Sequence, residues 1–182
     1  MILGMTTSTF TFVHVLISLV GIVSGLIVVF GMLKGKRLDG WTAIFLSTTV
    51  LTSVTGFLFP IEHLTPGIVI GILSLILLAA AILARYTFHL SGAWSRTYVI
   101  TAAISLYLNV FVLIVQSFER VPSLHALAPT QKERPFKIAQ LIVLVLFVAL
   151  TIAAANASQE VSPRATAVRA APLDFGESFA NP

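Results

Sequence analysis

Charged side chains along this chain fall in clusters, and the stretches between the clusters are long and apolar. No Asp, Glu, Lys or Arg occurs in 1–33, 40–61, 63–84, 97–118 or 138–159, and each of these stretches is at least 22 residues long. A bilayer core of roughly 30 Å takes about 20 helical residues to cross. A soluble helix mixes polar and apolar positions at a 3.6-residue period. Here the two kinds are banked into separate blocks. The pattern predicts an all-α polytopic transmembrane bundle of about five spans, at 10–33, 41–59, 67–85, 97–118 and 137–157. Strands are disfavoured, because the runs lack alternation and because lipid leaves helices as the way to satisfy the backbone within one segment.

The links follow from the breakers. Residues 34–40 (KGKRLDG) form a short basic turn, and Pro60 and Pro66 bound the second link. Residues 86–96 are polar and aromatic, and the longest link, 119–137, holds Pro122, Pro129 and Pro135. The reading divides the chain into a bundle over 1–157 and a tail over 158–182, which is rich in Ala and mixed charge and expected to be disordered. The first 33 residues carry no Lys or Arg, so the first stretch is expected to stay as a span rather than be cleaved as a signal peptide.

Composition agrees: 57% of residues are hydrophobic and 10% charged, where a soluble domain carries about 25% charged. Mean hydropathy is +0.99. The net charge of +4 does not imply nucleic acid, because the basic residues sit beside apolar spans. There they set orientation and meet lipid headgroups. Lys34, Lys36, Arg37, Arg85, Arg96, Arg164 and Arg169 share one side of a five-span layout, against Arg120, Lys132, Arg134 and Lys137 on the other. This places the N-terminus outside and the C-terminus inside. Without cysteine there is no disulfide, thiolate metal site or cysteine nucleophile.

Helices in lipid associate through small residues and polar cross-links. In span 1, His14, Ser18, Gly21 and Gly25 fall within about a 60° arc at 100° per residue. Gly67, Gly71 and Ser74 repeat the logic in span 3. Span 2 carries Ser47, Thr48, Thr49, Thr52, Ser53 and Thr55. They offer a polar path, or they simply bond back to carbonyls one turn earlier; the second reading is favoured. In span 4, Thr97, Thr101, Ser105 and Asn109 recur every four residues, and Gln116 and Glu119 return to that face. An amide in lipid needs a partner, so Asn109 and Gln116 are expected to face the bundle. With His14 they are the candidate ligand or interhelical polar site.

His14, His63 and His125 fall near the outer face, with Glu62 beside His63, and His89 near the inner one. The first three are the candidate metal or haem ligands. Their spacing matches no ligand motif, and no resident cofactor is expected. All seven acidic residues lie outside the spans, which argues against proton-coupled transport. No G-x-S-x-G, H-E-x-x-H or phosphate-cradling Gly loop occurs. Thr130 to Glu133 reads as a capping box, but Pro135 starts the last helix.

The stretches RLDGWTAIFL (37–46), TSVTGFLFP (52–60), SLYLNVFVLIVQSF (105–118) and LAPTQKERPF (127–136) resemble a widespread family of small uncharacterised bacterial polytopic inner-membrane proteins. The resemblance covers roughly 10–150 and implies a cytoplasmic-membrane setting, with no activity attached. The layout also resembles small haem-carrying membrane bundles. Those place histidine pairs within facing helices, whereas here only His14 lies within a span.

The expected function is that of a non-enzymatic accessory or scaffold component, in contact with the lipid bilayer and with a homo-oligomer or larger membrane complex as its setting. A haem- or metal-binding redox bundle using His14 with His63 or His125 is one alternative. Transport of a small neutral solute along spans 2 and 4 is the other.

Overall fold

The computed structural model describes residues 2–59 and 66–170, with only the backbone described at 66 and over 159–170. The chain forms α1 (Thr7–Leu33), α2 (Asp39–Gly56), α3 (Pro66–Ile82), a π-helical turn (Leu83–Thr87), α4 (Ala93–Arg120), α5 (Pro122–Leu127) and α6 (Arg134–Ala170). Among the described residues there is no strand, as the unalternating apolar runs imply.

The ends follow local chemistry. Thr6 caps α1, its hydroxyl accepting from the Thr9 N–H at 3.2 Å. Gly35 closes the other end with φ +64°, a left-handed conformation that glycine enters without a Cβ clash. Its N–H donates to the Met32 carbonyl at 3.0 Å. Pro122 opens α5, where a missing N–H costs nothing. The long fourth link thus contains a short helix that periodicity did not reveal. Glu133 accepts from the Thr130 hydroxyl at 2.8 Å and from the Lys132 N–H at 3.0 Å, and α6 begins just after it. The capping-box residues therefore tie down the link while the helix starts beside Pro135, as the proline requires. At its far end α6 runs past the expected boundary at 157 to Ala170. Alanines 153–155 and 157 have high helix propensity and carry it across. Residues 171–182 of the expected tail lie outside the described residues.

α1 and α4 lie side by side at the centre of the bundle. α6 packs against both of them. On the other flank α2 packs on α1, α3 packs on α4, and α2 meets α3. The interior mixes large apolar side chains such as Phe45, Leu78 and Leu106 with small and hydroxyl residues. Ala81, Ala84, Ala102, Thr49, Ser105 and Ala154 are fully inaccessible. The exterior is aliphatic and aromatic: Phe12, Ile76, Leu141, Ile142 and Val145 are each more than half exposed. An exterior this apolar is the reverse of a water-soluble bundle's. It is what lipid demands, since close backbone approach replaces hydrophobic burial as the cohesive force.

Among the described residues, four helical segments, Thr7–Leu33, Gly67–Thr87, Ala93–Arg120 and Arg134–Ser158, are long and apolar enough to cross a membrane. They make this an integral membrane protein of helical-bundle type. α2 is not among them, because its hydroxyls lower its hydropathy. It nonetheless runs antiparallel along α1 over most of its length, as the pairs below establish. Its 18 residues rise about 27 Å at 1.5 Å per residue.

Candidate functional site

The small-residue face of α1 forms a seam with α2. His14 Nδ1 lies 2.8 Å from the Thr55 hydroxyl. Ser18 donates to Thr52 at 3.4 Å. A Cβ at Gly21 would lie 3.2 Å from Thr48 Oγ1 and 3.3 Å from Thr49 Oγ1, and one at Gly25 would fall 2.8 Å from the Phe45 ring. The pairs 14/55, 18/52, 21/49 and 25/45 step along the two helices in opposite directions, which defines an antiparallel register. Thr55 already donates to the Leu51 carbonyl at 2.7 Å. Its oxygen therefore accepts from His14, which puts the imidazole proton on Nδ1.

α4 enters the seam through Asn109, whose Nδ2 donates to Thr49 Oγ1 at 3.5 Å. The remaining hydroxyls mostly bond back within their own helices. In α2, Thr48 donates to the Ile44 carbonyl and Ser53 to that of Thr49. In α4, Thr101 donates to the Thr97 carbonyl and Ser105 to that of Thr101. Gln116 does not join Asn109. It is exposed, and its Oε1 accepts from Arg120 Nε at 2.8 Å, one turn nearer the helix end. Of the expected polar site, the structure brings His14 and Asn109 to one seam and leaves Gln116 outside it. In α3, Gly71 meets the Phe57 ring and Ser74 is buried, whereas Gly67 is exposed.

The histidines do not assemble. His14 sits in the seam with Phe59 edge-on to its ring at 5.2 Å. His125 is exposed on α5, with Nδ1 3.3 Å from the Phe118 carbonyl oxygen. His63 and Glu62 lie outside the described residues. Among the described residues, no three His, Asp or Glu side chains cluster as metal ligands would.

A second feature is a cavity of about 760 Å³ at the opposite end of the bundle. Three segments remote in sequence meet there: the α1–α2 link with Lys36 and Arg37, the end of α3 with Arg85 and His89, and α6 at Ser158. The π turn and the link after it shape this wall. Phe88 donates to the carbonyl of Leu83, five residues back, at 3.0 Å. His89 and Leu90 both hold positive φ, at 49° and 57°, a conformation that costs a non-glycine residue energy.

Arg85 lines the cavity. Its side chain is only 9% exposed, and it pairs with Asp39, whose side chain is 80% exposed. The guanidinium carbon lies 5.3 Å from the Tyr98 ring centroid and 5.8 Å from that of Tyr86. Tyr98 is 3% exposed. Its hydroxyl faces Thr42 and Arg85 but forms no hydrogen bond within normal geometry. Sequence reasoning used Lys36, Arg37 and Arg85 only for orientation, and Tyr98 was not among its candidate site residues. A basic residue at each of two span ends was the available signal, and nothing in the linear order showed that the ends meet.

Comparison with protein-family models, with curated proteins and with solved structures found no match.

Proposed function

We propose that this chain is a non-enzymatic accessory or scaffold component of a bacterial cytoplasmic membrane. It crosses five times, with the N-terminus outside and the cavity end inside. The observation that supports the non-enzymatic reading is the closure of the seam. His14 is engaged by Thr55, Ser18 by Thr52, Asn109 by Thr49, and Thr48, Ser53, Thr101 and Ser105 by carbonyls of their own helices. Polar groups used in this way fix helix packing. They leave no row of free donors and acceptors for a solute to follow between α2 and α4.

Five crossings are supported by the gathering of residues 35–38, of Arg85 with residues 89–91, and of residues 157–158 at one end. That gathering needs α2 to travel the length of the bundle. The inside assignment rests on the Lys and Arg distribution. The bacterial setting rests on the resemblance of the four stretches described above.

The test is purification from native membranes in mild detergent, with chemical cross-linking, identification of co-purifying proteins and a visible spectrum. Reproducible partners or self-association, without haem absorbance or stoichiometric metal, is the expected result. A haem spectrum lost in His14→Ala would replace this reading with the redox alternative.

A further inference from the structure

We propose that the cavity at the basic end binds a phosphate group, such as the headgroup phosphate of an anionic lipid. A charged group that is nine-tenths buried needs a counter-charge and hydrogen-bond acceptors. Arg85 has one, Asp39, which lies largely in solvent. A guanidinium carries five donors and matches the oxygens of phosphate in a fork. Tyr98 adds a buried hydroxyl that faces Thr42 and this guanidinium and makes no hydrogen bond of normal geometry. Lys36 and Arg37 line the mouth, and no acidic residue is among the described residues lining the cavity. Ser95, in the first turn of α4, adds a hydroxyl at the positive end of that helix dipole.

The chemistry of the pocket selects the ligand class. It offers positive charge, a phenol, and serine and threonine hydroxyls, all of them suited to phosphate oxygens. It lies at the end of four membrane-long segments, where a bundle that spans the bilayer meets the headgroups. Basic pockets between membrane helices take anionic headgroups for this reason. A soluble phosphate compound would satisfy the same groups, so the source is decided by experiment.

The full chain, purified in a neutral detergent, is heated with added phosphatidylglycerol, with phosphatidylcholine, and with millimolar inorganic phosphate. A rise in melting temperature with phosphatidylglycerol alone supports the site with a lipid as its ligand. A rise with inorganic phosphate supports it with a soluble source. No rise with either anion, or an equal rise with phosphatidylcholine, overturns it. Arg85→Gln and Tyr98→Phe should each weaken the anion response, Arg85→Gln by about tenfold in half-saturating concentration. Asp39→Asn removes the competing carboxylate and should strengthen it. Lys34→Gln changes a neighbouring charge that does not line the cavity and should leave the response near wild type. If Lys34→Gln weakens the response as much as Tyr98→Phe and Arg85→Gln do, the effect is general surface attraction and the site is refuted. Should Arg85→Gln fail to fold, Tyr98→Phe and Asp39→Asn carry the test alone.

Discussion

At the residue scale, the bundle depends on positions where nothing larger fits. Gly25 is the clearest. A Cβ there would lie 2.6 Å from Leu106 Cδ1 and 2.8 Å from the Phe45 ring, and both neighbours are fully buried. Gly25→Leu should destabilise the protein by about 1–3 kcal/mol or more, the range for overpacking a tight core. Gly40→Ala should be near neutral, since that Cβ would meet open space. Thermal unfolding in detergent compares the two. The seam hydrogen bonds should be individually modest. A double-mutant cycle of Asn109→Leu with Thr49→Val should give a coupling of about 0.6 kcal/mol and no more than about 1.7. The glycine face was legible because 100° per residue aligns 14, 18, 21 and 25 without further knowledge. Gln116 satisfies the same arithmetic and was misplaced, because its partner is Arg120 on its own helix. Angle alone does not say whether a residue near a helix end turns inward or toward the headgroups.

At the element scale, spans were legible wherever composition alone decides. α1, α3 and α4 overlap the uncharged stretches closely, whereas α6 begins with one and continues beyond it to Ala170. The short α5 and the π turn at Leu83–Thr87 were not legible, because each depends on packing against a neighbour rather than on period. The turn before α6 carries a pH dependence. Hydrogen bonding by Thr130 holds the Glu133 carboxyl below the usual carboxylate range. A lowered folded value means its contribution is present above the unfolded pKa and is lost as pH falls through the folded one. Protection of the Thr130 and Lys132 amides, measured against their intrinsic exchange rates, should therefore hold at neutral pH and fall only under acid conditions. In Thr130→Ala the fall should begin at higher pH. An unchanged acid midpoint in that variant would remove Thr130 as the cause.

At the scale of the whole molecule, an exterior of large apolar side chains around long apolar helices makes the surrounding medium hydrocarbon. The two ends of the bundle are chemically different. One end gathers Lys36, Arg37 and Arg85 around a cavity, and the other carries the His14–Thr55 pair and α5. The sequence already held the charges that mark the cavity end. It did not hold the meeting of three distant segments there, which is a product of helix order and of the left-handed link at His89 and Leu90.

The central claim is that all five long helices traverse the bilayer, α2 included. The chain has no cysteine, so single cysteines at Thr7, Lys36, Leu58, Ser91 and Ser123 serve as clean reporters. They would be labelled in sealed, right-side-out membrane preparations with a reagent that does not cross lipid. The expected result is labelling of Thr7→Cys, Leu58→Cys and Ser123→Cys, with Lys36→Cys and Ser91→Cys reacting only after the membrane is opened. Labelling of Lys36→Cys and Leu58→Cys from the same side would mean that α2 does not cross, and the five-span arrangement would be wrong.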